Sequence, residues 1–186
     1  MCGIVGIAGT REVASVLVEA LRRLEYRGYD SAGIATLVDG AIERRRSPGK
    51  LNKLAEVLQE RPLGGRTGIG HTRWATHGAP TEANAHPHAS SRVAIVHNGI
   101  IENFRDLRDE LSKRGHTFES QTDSEVAAHL ITDNLDKGLD PAEAAKQAVA
   151  RLTGAYSLAV IFKDHEGLLV RSESGPYRGG ARKSER

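Results

Sequence analysis

The chain has 186 residues, 39% of them hydrophobic and 27% charged, which is the composition of a globular protein with one sizeable core and excludes a largely disordered chain. The net charge of +2 gives no reason to expect nucleic acid or an anionic membrane surface as a partner. No apolar run reaches the roughly 18 residues that span a bilayer, and a single cysteine favours a reducing, cytoplasmic setting.

The first half of the chain is predicted to start with a strand, a helix and a hairpin. Residues 4–8 form a short apolar run between glycines, which favours a buried strand, and residues 13–24 carry apolar side chains at helical spacing. Strands are predicted at 32–38 and 41–46, because Asp39-Gly40 between them is a two-residue hairpin signal. The elements predicted next are a helix at 51–58, a strand at 67–72, an ordered polar loop at 73–91 and a strand at 93–97.

Three helices and a strand pair are predicted in the second half. The helix signals are apolar spacing from Ile100 through Leu111 with a stop at Gly115, a Thr122–Glu125 capping box, and a helix start at Asp140-Pro141. Residues 155–163 are predicted to be a strand that pairs with 168–171 across a turn. Because the elements do not alternate strictly as βαβ, the pattern favours an α+β fold of antiparallel sheets covered by helices. Residues 172–186 are predicted to be a divergent flexible tail.

Cys2 is a candidate nucleophile. Removal of Met1 would give it a free α-amine beside its thiol, and the strand that follows would hold this terminus rigidly. The two groups have ordinary pKa values of about 7.7–8.0 and about 8.5, so a proton can pass between them near neutral pH. One residue would then supply both nucleophile and base. Taken alone, a cysteine at position 2 is more simply a coincidence.

Asn98 and Gly99 follow an apolar strand and are candidates for an oxyanion hole. Attack on a carboxamide creates a negative oxygen, to which the Asn98 side-chain NH2 and the Gly99 N–H could both donate. Asn-Gly is also common in ordinary turns, which is the simpler explanation for the pair alone.

Substrate recognition is predicted around residues 71–78, where Arg73 and Trp74 lie between two histidines. Arg73 can hold an α-carboxylate through two parallel hydrogen bonds, and Trp74 can cover a small ligand and exclude water. Asp123 can hold an α-ammonium group, although an acid just before a helix is also favoured by the helix dipole alone.

The histidines also allow a metal site. His86-Pro87-His88 could supply two ligands, with His71, His77 and His97 in neighbouring motifs. No pattern of cysteines or carboxylates completes such a site, so the prediction is that the protein needs no metal and no organic cofactor. A metal-dependent amide hydrolase remains an alternative at this point.

Five motifs together resemble one family. They are residues 2–6 (CGIVG), 27–33 (RGYDSAG), 71–78 (HTRWATHG), 84–88 (NAHPH) and 97–103 (HNGIIEN). Over residues 1–171 the chain resembles the glutaminase domain of the glutamine–fructose-6-phosphate aminotransferases, which are class II glutamine amidotransferases and N-terminal nucleophile hydrolases. The resemblance implies a four-layer αββα sandwich and the hydrolysis of L-glutamine to glutamate and ammonia for amino-sugar biosynthesis.

The resemblance also implies a role for each site residue. Cys2 is the nucleophile with its own α-amine as base, and Asn98 with Gly99 forms the oxyanion hole. The implied substrate-binding residues are Arg73 for the carboxylate, Thr76 and His77 beside it, Asp123 with the Gly99 backbone for the ammonium, and Trp74 in the loop that closes over glutamine. Arg27 and Asp30 are implied to brace the Cys2 strand.

The end of the chain departs from the family pattern. After residue 171, the further strands of the sandwich and the sugar isomerase domain are expected in the family but are replaced by the predicted tail. The expectation is therefore a sandwich that is incomplete at this end and a separate synthase or isomerase subunit as partner. An inactive glutamine-binding or partner-docking module is the alternative from a different functional class.

Overall fold

Two four-stranded antiparallel sheets and five α-helices make up the part of the chain that the structure describes. This structure is a computed structural model that describes residues 2–28, 30–74 and 79–174, apart from the side chain of Arg27. The strands are β1 (Gly3–Ala8), β2 (Ser31–Val38), β3 (Ala41–Pro48), β4 (Thr67–Arg73), β5 (His88–Ala89), β6 (Val93–Gly99), β7 (Tyr156–Phe162) and β8 (Leu169–Ser174). The helices are α1 (Ala14–Arg22), α2 (Leu51–Glu60), α3 (Phe104–Lys113), α4 (Glu125–Asp136) and α5 (Pro141–Ala150). None of the described helices is long and apolar enough to cross a membrane.

The strands form sheet A, in the order β1-β4-β2-β3, and sheet B, in the order β5-β6-β7-β8. The β2–β3 hairpin turns at Asp39 and Gly40, whose φ angles of 49° and 80° confirm the predicted two-residue turn. In sheet A, β4 lies between β1 and β2, so the start of β1 lies next to the end of β4, with Gly3 opposite Thr72.

The alternation of side chains along the central strands builds three layers of core. In β6, Val93 and Ile95 pack on the helices α3–α5, whereas Ala94 and Val96 face sheet A. In sheet A, Ile34 packs on α1 and α2, and its neighbour Ala35 faces sheet B. Both faces of these strands are buried, which explains their nearly continuous apolar sequences. The layers therefore run helices, sheet A, sheet B, helices, and the predicted αββα architecture is confirmed.

Most predicted elements are present, but three local predictions were wrong. The helix predicted from Ile100 begins only at Phe104, and Ile100 is 46% exposed. The Thr122–Glu125 capping box does not form: α4 begins at Glu125, and the carboxylate of Glu125 accepts hydrogen bonds from the backbone N–H groups of Glu119 and Ser120 at 2.8 Å each. The short strand β5 lies inside the stretch predicted to be a loop.

The end of the described chain is also more ordered than predicted. β8 continues to Ser174, so it includes the first three residues of the predicted tail, because residues 172–174 pair with β7. The rest of that tail, residues 175–186, lies outside the described residues.

Candidate active site

The two sheets bring the ends of three strands together at one edge of the sandwich. On β4, Ile69 faces sheet B, and the twofold period of a strand places His71 and Arg73 on the same face. On β6, Val96 faces sheet A, so Asn98 does too. Cys2 lies just before β1, opposite the end of β4. Residues far apart in sequence thus face the same space between the sheets.

A cavity of about 620 Å³ opens at this edge. It is lined by six residues predicted from the sequence, which are Cys2, Arg73, Trp74, Asn98, Gly99 and Asp123. A partly enclosed cavity of this size with a few converging polar groups is typical of a site for a small ligand. Thr76 and His77 lie outside the described residues, as does the side chain of Arg27.

Cys2 is held by the backbone of Trp74. Its Sγ accepts a hydrogen bond from the Trp74 N–H at 3.1 Å and lies 3.6 Å from the Trp74 carbonyl oxygen. Burial raises the pKa of the Cys2 thiol above its ordinary value, while the Trp74 N–H and the charge of Arg73 act in the opposite direction. Because burial dominates, the thiol needs a nearby base to become a thiolate.

Asn98 connects sheet B to sheet A beside Cys2. Its Nδ2 donates to the Cys2 carbonyl at 3.0 Å, and its Oδ1 lies 2.8 Å from Nε2 of His71. Both ends of the amide are therefore engaged, which fixes the side chain beside Cys2. An amide NH2 carries two hydrogens, and one of them can still donate to a ligand oxygen.

Two buried charges of opposite sign line the cavity. Arg73 is 4% exposed, with Nη1 3.4 Å from the Ala79 carbonyl oxygen and 4.0 Å from Oδ1 of Asp30. Asp123 is 6% exposed, and its Oδ2 accepts a hydrogen bond from the Ile101 N–H at 2.8 Å. The α-carbon of a free amino acid carries a carboxylate and an ammonium group. Arg73 is suited to bind the carboxylate, and Asp123 is suited to bind the ammonium.

Asp30 and Trp74 both lie at the end of β4. The hydrogen bond from the Asp30 N–H to the Arg73 carbonyl, at 3.1 Å, attaches Asp30 to the end of β4. Asp30 is thereby attached to the strand that pairs with β1, and its role in bracing the Cys2 strand stays a prediction. Trp74 lines the cavity and is 49% exposed, and closure of its loop over glutamine stays a prediction.

Four buried histidines cluster at the wall of the cavity, and three of them, His71, His86 and His97, line it. The ring centroid of His86 lies 4.2 Å from that of His71 and 4.5 Å from that of His88. Nε2 of His86 and Nδ1 of His97 both bond to the Ser124 hydroxyl, at 3.0 and 2.7 Å, and Nε2 of His88 bonds to the Thr122 hydroxyl. Among the described residues, no group of three or more His, Cys, Asp or Glu side chains is arranged to hold a metal ion.

Residues 71–176, more than half of the chain, match the family described as the glutamine amidotransferase domain. The chain belongs to this family. It is 64% identical over 176 residues to a glutamine–fructose-6-phosphate aminotransferase (isomerizing) of Gluconobacter oxydans, and 62% identical to one of Mesorhizobium japonicum. These matches cover 94% and 95% of this chain but 29% of each relative. The chain thus spans under a third of the length of the curated relatives it matches.

The fold agrees with this assignment. The glutamine phosphoribosylpyrophosphate amidotransferase of B. subtilis, solved with ADP and GMP, superposes with a TM-score of 0.77 at 24% identity, over 93% of this chain and 37% of that one. The predicted resemblance to the class II glutamine amidotransferases is confirmed.

Sequence reasoning missed several residues of this amidotransferase site. His71, which the sequence suggested only as a metal ligand, also lines the cavity, as do Ser124, Tyr156 and Ser157, and Glu173 lines it from β8. His71 lies two residues before Arg73 on the same face of β4, so the strand period could have indicated that it points into the site. The other four depend on how sheet B and α4 are stacked, for which the sequence carries no local signal.

Proposed function

We propose that this amidotransferase domain hydrolyses L-glutamine with Cys2 as nucleophile and the Cys2 α-amine, exposed by removal of Met1, as base. The observation that carries the proposal is the convergence of Cys2, Asn98, Gly99, Arg73 and Asp123 on one cavity. A thiol, oxyanion donors and a pair of charges suited to an α-amino acid are the groups that such a reaction requires.

The first half of the reaction would release ammonia. The α-amine takes the thiol proton, and Sγ attacks the side-chain carbonyl carbon of glutamine, so that a C–S bond forms and the carbonyl electron pair moves to oxygen. The NH2 of Asn98 and the N–H of Gly99 donate to that oxyanion. The tetrahedral intermediate then breaks its C–N bond, and the ammonium group of Cys2 returns its proton to the leaving nitrogen, which departs as ammonia.

The second half consumes one water molecule. Water attacks the thioester carbonyl, the C–S bond breaks, and glutamate and the free thiol are regenerated. The α-amine takes the proton of this water and returns it to sulfur. The same oxyanion donors would serve both halves, since each passes through a tetrahedral intermediate at the same carbon.

Arg73, Asp123 and Trp74 would select and enclose the substrate. Arg73 would bind the α-carboxylate, with Thr76 and His77 beside it, and Asp123 with the Gly99 backbone would bind the α-ammonium. The half-exposed Trp74, whose backbone contacts Sγ of Cys2, would cover glutamine when it binds and keep water from the thiolate. Arg27 and Asp30 would support this site without reacting.

The proposal also includes a destination for the ammonia. The curated relatives are named glutamine–fructose-6-phosphate aminotransferases (isomerizing), and the matched segment is 29% of their length. We place the acceptor site, which would bind a sugar phosphate, in a synthase or isomerase region outside the matched segment. A cytoplasmic location is part of the proposal, because the nucleophile must stay reduced.

The decisive experiment tests the α-amine. A residue that cells do not remove, placed before Cys2, should abolish glutamate release as completely as Cys2→Ala does, and protease cleavage of a removable extension should restore it. A glutamine analogue with a reactive diazoketone should add once to Cys2, as seen by intact-protein mass spectrometry, only when Cys2 is the first residue.

Two outcomes would contradict the proposal. Normal glutamate release from the blocked protein would exclude the α-amine as base. Glutamine binding by calorimetry without any glutamate release from the correctly processed protein would instead favour a binding or docking module.

A further inference from the structure

His71 contacts the side chain that would bind the oxyanion. It is 1% exposed and lies on β4, two residues before Arg73. Its Nε2 is 2.8 Å from Oδ1 of Asn98 and 3.0 Å from the backbone carbonyl oxygen of His97. One imidazole nitrogen therefore faces two oxygen atoms at the end of β6.

The contact with the His97 carbonyl identifies the nitrogen of His71 that carries the proton. A carbonyl oxygen only accepts hydrogen bonds, so Nε2 must be the protonated nitrogen. Burial lowers the pKa of His71 to about 4, because charging a ring in this interior is unfavourable. The ring is therefore neutral near pH 7, and its Nδ1 bears no proton.

The protonated Nε2 of His71 also fixes the orientation of the Asn98 side-chain amide. An N–H facing the amide requires its oxygen, which leaves the NH2 end beside the Cys2 carbonyl, with Nδ2 at 3.0 Å from that oxygen. The reversed amide would set N–H against N–H at His71 and oxygen against oxygen at Cys2. Both contacts would then be repulsive, so a single orientation is favoured.

We propose that His71 is a positioning residue that holds the NH2 of Asn98 toward the reacting carbon, through a fixed Nε2–H tautomer. This inference rests on the proposed function, since it assumes that Asn98 binds the oxyanion. The hydrogen bond to Oδ1 would also polarise the amide and make its NH2 a stronger donor. His71 itself touches neither glutamine nor the reacting atoms in this scheme.

The test compares two substitutions of His71. Leu removes the donor at similar volume, whereas Gln keeps an N–H at the end of a flexible chain. His71→Leu should lower kcat for glutamine about 10–100-fold, somewhat less than the loss of an oxyanion donor itself, and should leave KM within about twofold. His71→Gln should recover most of kcat.

A second readout separates positioning from a general structural defect. The γ-semialdehyde of glutamate adds to the Cys2 thiol and forms an oxyanion, whereas glutamate does not. His71→Leu should weaken binding of the aldehyde by the same factor as kcat and leave the affinity for glutamate unchanged. His88→Leu is the matched control, because it removes a buried histidine without contact to Asn98: it should reduce stability but not the ratio of the two affinities.

The outcomes distinguish the two proposals. Unchanged kcat in Asn98→Ala would overturn the proposed function. A large effect of Asn98→Ala together with a kcat for His71→Leu within twofold of the parent would overturn the role of His71 alone. If His71→Leu does not fold, the nitrogen chemical shifts of the parent protein decide: a His71 ring protonated at Nδ1 overturns the inference, and one protonated at Nε2 supports it.

Discussion

Gly99→Ala tests how closely β6 and β7 must approach at the active site. Gly99 has a φ of +112°, a region that side-chain-bearing residues rarely adopt. A Cβ at this position would lie 2.1 Å from the Ala155 carbonyl oxygen and 2.7 Å from Cα of Tyr156. Both contacts are with backbone, so no side-chain rotation can relieve them.

The expected cost has two parts. The strained φ should cost about 1–3 kcal/mol, and relieving the contacts requires a shift of about 1 Å between the strands, for which overpacking costs of about 1–3 kcal/mol are typical. A total of about 2–6 kcal/mol is a large fraction of an ordinary domain stability. For a chain of this size it corresponds to a fall in Tm of about 5–20 °C.

Activity should fall beyond the loss of folded protein. The Gly99 N–H is a proposed oxyanion donor, and a displacement of about 1 Å can cost about 10²-fold in rate. Thermal melts followed by circular dichroism, with kcat for glutamine measured well below the melt, separate the two effects.

Gly138→Ala is the matched control. Gly138 also has a positive φ, +87°, but a Cβ there would meet nothing within 4 Å. Gly138→Ala should lose only the stability that the strained φ costs, and its kcat should be unchanged. If Gly99→Ala and Gly138→Ala lost the same Tm and both kept full activity, β6 and β7 would not need to approach closely at Gly99.

Four further outcomes are expected. Arg73→Ala should chiefly raise KM, because the loss of this contact should weaken glutamine binding by about 1.5–3 kcal/mol. Asn98→Ala should instead lower kcat by about 10²–10³-fold. Steady-state kinetics showing the reverse would mean that their roles are exchanged. Asp140→Ala should cost about 1 kcal/mol in urea unfolding, since the carboxylate accepts from the N–H groups of Ala142 and Glu143, and Asp140→Asn should retain most of it. The free energy of unfolding should fall as the pH drops below about 6.5, because unfolded His71 binds a proton near that pH but folded His71 does so only near its pKa of about 4. Between pH 7 and pH 5, His71 alone should lower the free energy of unfolding by about 2 kcal/mol. A urea midpoint that does not move over this range would count against the burial of His71. Chelators should leave glutamate release unchanged, and loss restored by zinc would favour the metal alternative.

Local signals in the sequence were sufficient for most of the fold. The Asp39-Gly40 turn forms because these two residues tolerate positive φ, whatever surrounds them. The helix at Pro141 starts as predicted because Asp140 caps its own neighbours. The family resemblance likewise pointed to Cys2, Arg73, Asn98 and Asp123, and these residues line one cavity.

Local signals failed where a different set of hydrogen-bond partners outweighed the expected one. Glu125 has the spacing of a capping residue, but its carboxylate instead binds the Glu119 and Ser120 N–H groups and the Ser120 hydroxyl, at 2.6–2.8 Å. Burial would raise the pKa of Glu125, yet these bonds and one with His129 lower it to about 2. Three strong donors outweigh a cap that satisfies one backbone group.

The sequence by itself determined most of the secondary structure, because helix and strand signals depend mainly on neighbours within a few positions, and it determined which residue types are available for chemistry. The tertiary structure alone decided how those residues meet. His71 and Asn98 are 27 positions apart, and Cys2 and Asn98 are 96 apart. Their contacts form because sheets A and B pack on each other through a shared apolar cluster that includes Ala35, Ile69 and Val96, which brings the ends of β1, β4 and β6 to one edge. That stacking is a property of the whole core, since it depends on how both sheets bury their faces together.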